Sequence, residues 1–375
     1  MDTEQQKPNK DRPKLSPKDV LANLKVYYNN EEIIRGIELN VDFTNDDTFF
    51  KSLKTFLNDF EDAHIIDMLF HSSITDIDEE MDLYKRAEQS IIKTIDRPVF
   101  FINNDKVDIS KTTLWNKHID DNKETITKVI PAIGRIEVIG DERFPMVGTG
   151  WLIRGTDIVV TNRHVAKYFA SQNNEGKFEV RKSHRRRPLG IKIDFKEEHN
   201  TKEKNDSKEE FELEFDIKEI VHITKNSELD IALLRVEKTN HNGHKLPQGL
   251  ELSDTPPTLK EDIYVVGYPA CSQNEELRTA HFNSVSGVKQ FAPGAFFRTH
   301  ISDYIYKHDC TTWNGNSGSP LLDFKTGEVL GIHYAGTSEE VTEFRANYAV
   351  SVKFLIELLK KVGIKYNYKI HPDKK

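Results

Sequence analysis

Three short stretches of the chain hold side chains that could carry out acyl transfer. Residues 311–324 read TTWNGNSGSPLLDF and set Ser317 among glycine and asparagine just ahead of an apolar run. Upstream, GTGWLIRGTDIVVTNRHVAKYFA places His164 directly after an apolar strand, and NSELDIALLRVE places Asp230 at the mouth of another. A serine hydroxyl is a poor nucleophile until a neighbouring base takes its proton. His164 is the candidate base, and then the acid that protonates a leaving amine. Asp230 is the candidate for holding the imidazole in one tautomer and stabilising its charged form. Each residue alone has a plainer explanation: a turn for the glycines, a solvated or structural histidine, a capping aspartate. The three together, in the order His, Asp, Ser, match one of the chain orders known for such a triad.

Strands have to position these residues, and from Ile133 onward the texture is that of short strands. RIEVI, GTGWLI, DIVVT, GIKIDF, EFDIKEIV, DIALLRV, DIYVVGY, GEVLGIHY and NYAVSV are bounded by Gly, Pro, Asn and Asp. Many short strands so punctuated predict a mainly β barrel or sandwich. The charge-dense stretch 196–210, KEEHNTKEKNDSKEE, reads as a loop that buries little. KFLIELLKKVG reads as an amphipathic helix closing the chain.

The first part of the chain reads differently. Residues 1–15 form a polar tail expected to be disordered, and 16–96 are expected to form an α-helical domain. Ser16-Pro17 with Asp19 is a helix start, and Phe49, Phe50, Leu53, Phe56, Leu57 and Phe60 recur at helical spacing. The segments 63–70 and 79–95 also read as helical. Arg97-Pro98 breaks this pattern. A connecting segment over 97–132 then holds a short strand, VFFI, a turn at Asn103-Asn104-Asp105, and a helix from about 110 to 130. The β domain is expected over 133–365, with a tail over 366–375.

Composition narrows the function classes. The length of 375 residues suggests about two domains, and 37% hydrophobic with 30% charged residues gives adequate cores under a polar surface. A net charge of -8 gives no general attraction to nucleic acid, and the basic run Arg181–Arg187 reads as a solvated hairpin loop. Only Cys271 and Cys310 are present, which suits a reducing compartment. The polar N-terminus has no secretory core, and no apolar run reaches the roughly 18 residues of a membrane span. A cytoplasmic protein without membrane or nucleic-acid partners is expected. With no zinc-type Cys/His spacing and no glycine-rich phosphate loop, neither metal nor cofactor is expected.

Over about 133–365 the chain resembles the trypsin-like, chymotrypsin-fold serine peptidases, through TNRHVA around the histidine, LDIALLRV around the aspartate and GNSGSP around the serine. The resemblance implies a double β-barrel and a serine endopeptidase acting on a protein or peptide through an acyl-enzyme. It implies an oxyanion hole from the N–H groups of Gly315 and Ser317. Asn316 stands where zymogen-type members carry an aspartate that pairs with a newly cut N-terminus, so activation by N-terminal insertion is not expected. Asparagine there resembles the heat-shock-type peptidases and the glutamyl endopeptidases. Thr311 and Thr312 stand where trypsin-type pockets carry an acid, which argues against cleavage after Lys or Arg. The glutamyl endopeptidases imply a substrate-binding role for Thr312, His333 and Gly336 and a preference for Glu or Asp before the cut. With His333 titrating near its ordinary value of about 6.5, that preference would weaken as pH rises. A helical domain joined to an intracellular trypsin-like domain resembles bacterial signalling or defence proteases with homotypic adaptor domains, and implies a homotypic partner for residues 16–96. A plain structural cap is the other reading of those residues. For the β domain the alternative is a non-catalytic module that keeps the protease fold to bind a peptide or partner.

Overall fold

The computed structural model describes residues 97–366, apart from 111–112, 141–145, 174, 183–186, 188, 200–212, 226–227, 271–286, 299–303 and 337–346. The tail expected over 1–15, the helical domain expected over 16–96 and all but the first residue of the tail expected over 366–375 lie outside them.

The chain enters on a hairpin, β1 (Phe100–Asn103) and β2 (Lys106–Val107). Its two-residue turn, Asn104-Asp105, has φ of 51° and 59°. Two positive φ values match the right-handed twist of paired strands, and Asn and Asp tolerate them best after glycine. The helix expected over 110–130 forms as two pieces, α1 (Asn116–Asp121) and α2 (Lys123–Val129), followed by a 3-10 turn at Ile130–Ala132.

Six strands then close a barrel: β3 (Ile133–Ile139), β4 (Met146–Leu152), β5 (Ile158–Thr161), β8 (Gly190–Asp194), β9 (Glu214–Ile223) and β10 (Ala232–Val236). Along β3, buried Ile136 and Val138 alternate with Arg135 and Glu137, the period of two that one inward face requires. Ile191, Ile193, Phe195, Phe215, Leu234 and Val236 fill the same interior. After β5 the helix α3 (Arg163–Lys167) leads to a small separate hairpin, β6 (Ala170–Gln172) and β7 (Phe178–Val180). The basic run expected as a hairpin loop is closed by Arg181 and Leu189, whose N–H donates to the Arg181 carbonyl at 3.0 Å.

The second barrel uses β11 (Asp262–Gly267), β12 (Gln290–Arg298), β13 (Ile305–His308), β14 (Pro320–Asp323), β15 (Val329–Gly336) and β16 (Asn347–Ser351). They run β11-β14-β15-β16-β13-β12, and pairing of β12 with β11 closes the ring. The hairpin β1–β2 extends this sheet from β12, so the segment expected only to connect is built into the second barrel. The last helix, α4 (Val352–Lys361), buries Val352, Leu355, Leu358 and Leu359 on one face. Lys360 and Lys361 in its final turn complement the helix dipole. No helix among the described residues is long and apolar enough to cross a membrane.

A buried ionic cluster ties these parts together. Lys289 is wholly buried just before β12, and its ammonium donates to the carbonyls of Phe195 (2.7 Å) and Ile130 (3.2 Å). Glu198 lies 3.7 Å from it and accepts the Asp105 N–H at 3.1 Å, while Lys196 pairs with Asp105 at 2.7 Å. Residues 196–199, the described part of the stretch 196–210, therefore bury more than was expected of them. Glu197 and Glu198 are buried because Arg135, Lys196 and Lys289 stand beside them. Burial pushes the Lys289 amine down, and Glu198 and Asp105 oppose that. Breaking a buried pair from one side leaves the other charge uncompensated. Lys289→Ala is expected to cost about 3–5 kcal/mol in chemical denaturation, and Lys289→Ala with Glu198→Ala less than the sum of the two single changes.

Candidate active site

Strand ends place all three triad candidates. His164 follows β5 on α3, Asp230 precedes β10, and Ser317 precedes β14. The short helix α3 starts at Asn162 without a cap from that side chain. Asp230 supplies the missing acceptor from another strand. Its Oδ1 takes the His164 backbone N–H at 3.0 Å, and its carbonyl takes the Asn162 amide at 2.9 Å. The other carboxylate oxygen lies 2.5 Å from His164 Nδ1. An ionised carboxylate only accepts, so Nδ1 carries a proton, and in the neutral ring Nε2 then holds the lone pair.

Both side chains are buried. Burial alone would raise the Asp230 carboxyl. The imidazole beside it, the hydrogen bonds from His164 and the Arg163 guanidinium outweigh that and hold it at about 2. Arg163 also donates to the carbonyls of Lys225 (2.9 Å) and Glu228 (2.7 Å), which ties the turn before Asp230 to α3. Thr224 closes the turn from the other side, donating to the carbonyls of Leu229 and Ile231 at 2.6 and 2.9 Å. Sequence reasoning missed both residues. For Arg163 the available signal was its place next to His164 in TNRHVA.

Two consecutive turns present Ser317. The Asn316 N–H donates to Trp313 O and the Ser319 N–H to Asn316 O, each at 2.9 Å. The third residue of each turn is a glycine with positive φ, Gly315 at 92° and Gly318 at 89°. That is the backbone of a type II turn, which only glycine takes without strain. A Cβ on Gly315 would run into the Tyr268 carbonyl, and one on Gly318 into the Thr149 carbonyl. The spacing G-N-S-G thus follows from two turns sharing Asn316.

The serine turn belongs to the second barrel but is seated on the first. The Thr149 N–H of β4 donates to Ser317 O at 2.9 Å, and Thr149 Oγ1 donates to Gly315 O at 2.8 Å. Gly318 lies against Thr161, the last residue of β5, three positions before His164. The structure therefore brings the turns carrying His164, Asp230 and Ser317 to the seam between the barrels. Asn316 is buried and packs over Gly267.

Thr312 and His333 are both wholly buried, and Gly336 ends β15 opposite Asn347. His333 Nδ1 lies 3.1 Å from Nε2 of His308 on β13, a partner the sequence reading did not single out. Burial, then His308 and His164, push the His333 imidazole well below its ordinary value. Burial pushes His308 down to about 3. His333 is therefore neutral, which corrects the expectation that it titrates near 6.5. Thr312 Oγ1 and His333 Nε2 have no hydrogen-bond partner among the described residues. Those residues hold no group of three or more His, Cys, Asp or Glu that could bind a metal ion.

The depressed Asp230 carboxyl has a consequence for stability. Its folded value of about 2 lies below the unfolded value near 3.9. The stabilisation, about 2 kcal/mol, is complete above that unfolded value and is lost as pH falls towards 2. Asp230→Asn should flatten the fall in unfolding free energy between about pH 4 and pH 2 relative to the parent protein, as measured by denaturant titration.

Comparison with known proteins adds a family match and structural neighbours. A crystal structure of the Rv3671c protease in its inactive form is 18% identical and aligns with TM-score 0.40, covering 65% of this chain and 96% of that one. A second structure of Rv3671c, from M. tuberculosis H37Rv, is a serine-to-alanine mutant in the inactive form. It gives 18% identity and TM-score 0.40 over 67% of this chain and 96% of that one. Residues 148–332 match the model of the trypsin-like peptidase domain, and His164, Asp230 and Ser317 all lie inside the matched region.

Proposed function

We propose that the two-barrel body is a serine endopeptidase using His164, Asp230 and Ser317. The observation that supports this most is the 2.5 Å contact between Asp230 and His164 Nδ1, which leaves Nε2 as a base on the seam where the Ser317 turn is seated. In this reading His164 Nε2 takes the Ser317 Oγ proton as Oγ attacks the scissile carbonyl. The N–H groups of Gly315 and Ser317 receive the oxyanion, and the type II turn at Gly315 fixes the direction of the first of them. Collapse of the tetrahedral species breaks the C–N bond while His164 returns the proton to the leaving amine. Water then repeats the sequence on the acyl-enzyme. Asp230 stays ionised throughout, because its carboxyl is held far below neutral pH.

The same reading extends to specificity. Thr312 Oγ1 and His333 Nε2 are buried polar atoms without described partners. Such groups are costly unless something meets them, and a Glu or Asp side chain before the cut would supply acceptors. If His308 donates to His333 Nδ1, then Nε2 carries the proton and donates to that carboxylate. Preference would then come from hydrogen bonding rather than from a titrating charge. We further propose that the protein works in the cytoplasm in a bacterial signalling or defence pathway. Residues 16–96 would serve there as a homotypic interaction module. This rests on the cysteine count and on the sequence of those residues.

A fluorophosphonate probe followed by peptide mapping tests the nucleophile. The full chain should be labelled at Ser317 without prior cleavage, and Ser317→Ala should not be labelled. Loss of Ser317 should leave peptide hydrolysis at no more than about 10³–10⁴ over water. No labelling would point to the non-catalytic binding module, and labelling elsewhere would refute Ser317 as the nucleophile. Matched peptides with Glu or Gln before the cut test the pocket. Their ratio should favour Glu, show no fall as pH rises through His333's ordinary value of about 6.5 because burial holds it well below that, and drop about tenfold in His333→Ala, the scale of one lost hydrogen bond. Equal cleavage of Glu and Gln peptides would refute the acidic preference.

A further inference from the structure

Arg97, the first described residue, is fastened at two points to the segment that leads into the serine turn. Its Nη2 lies 2.6 Å from Asp309 Oδ2, and both side chains are largely shielded, at 17% and 14% exposure. Its backbone carbonyl accepts the Thr311 hydroxyl at 2.9 Å. The guanidinium also sits over the Trp115 ring, 5.6 Å from its centre, and Trp115 stacks on Phe324, the residue after β14. A planar cation held between a carboxylate and an indole face is a pre-oriented contact that lysine copies only in part.

Asp309 and Thr311 are alternate residues. Between them Cys310 packs into the core of the second barrel, and its carbonyl takes the Asn347 amide at 2.7 Å. Asp309 Oδ1 meanwhile accepts the Ala295 N–H of β12 at 2.6 Å. The segment lies past the end of β13 and has no continuous ladder of its own. These point contacts hold it in place of one. Thr312 is the next residue along, and Trp313 begins the first of the two turns around Ser317.

We propose that Arg97 is a positioning residue for the specificity wall. By clamping Asp309 and Thr311 it fixes where Thr312 stands. The functional part of this inference rests on the peptidase reading above. The clamp itself is a mechanical statement that can be tested separately.

Hydrogen exchange read by mass spectrometry on the full chain tests the clamp. Arg97→Ala should speed exchange over residues 309–316 about tenfold or more, the scale of one charge-assisted hydrogen bond. Residues 230–236 should be unaffected, and Arg97→Lys should lie between. In parallel, kcat/KM for the Glu peptide should fall mainly through KM, and by more than the rate of fluorophosphonate labelling falls. Unchanged exchange over 309–316 overturns the inference whatever the activity does. So does exchange that rises equally in both barrels with no rescue by lysine, since that is general loosening. If Arg97→Ala does not fold, Asp309→Asn removes the charge while leaving an acceptor for Ala295, and the same local signature is expected. A full chain that never reacts with the phosphonate would refute the peptidase reading and leave the clamp to be judged on exchange.

Discussion

A carboxylate taken out of water must be met by donors, and the site is organised around meeting one. Asp230 receives the ring N–H and the backbone N–H of His164 on its two oxygens, with the Arg163 charge close by. Each partner constrains an element. The backbone bond stands in for the cap that α3 lacks. The ring bond sets the imidazole tautomer. Arg163 and Thr224 hold the turn that brings Asp230 back from β9 towards β10. Buried with fewer donors, the carboxyl would be pushed up towards protonation, and His164 would lose the charge that orients it.

The second requirement is backbone freedom. Ser317 sits in the second of two consecutive turns that both need positive φ at their third residue, and both meet neighbouring main chain closely enough to exclude a Cβ. Because the Ser317 carbonyl bonds to β4, the second barrel's turn is registered against the first barrel by main-chain atoms. Further out, the cluster around Lys289 and the clamp at Arg97 tie the entering chain to both halves.

The residues proposed as a triad could be picked out because each lies in a local pattern, beside an apolar run that forms a strand. RIEVI, DIVVT and DIALLRV became β3, β5 and β10 by the same local logic. What was not legible depends on pairing over long sequence distances. Nothing in VFFI shows that β1 joins β12, so 97–132 read as a connector. Glu198 fell in a stretch read as burying little and Lys289 drew no notice, since burial of either becomes tolerable only when both are present. His333 was assigned an ordinary titration because no local feature reveals that His308 faces it across the core. The glycines of the serine turn were read correctly as a backbone requirement, but the need for two turns rather than one emerged only from their hydrogen bonds.

The account treats Ser317, His164 and Asp230 as one catalytic unit, and the most direct test is the additivity of their removal. Peptide hydrolysis should be measured for Ser317→Ala, His164→Ala and the triple variant that adds Asp230→Ala. Residues that act as a unit are strongly non-additive. Either single change should therefore slow hydrolysis as much as removing all three. Losses that multiply from the single variants to the triple would show three independent contributions, and would contradict the mechanism.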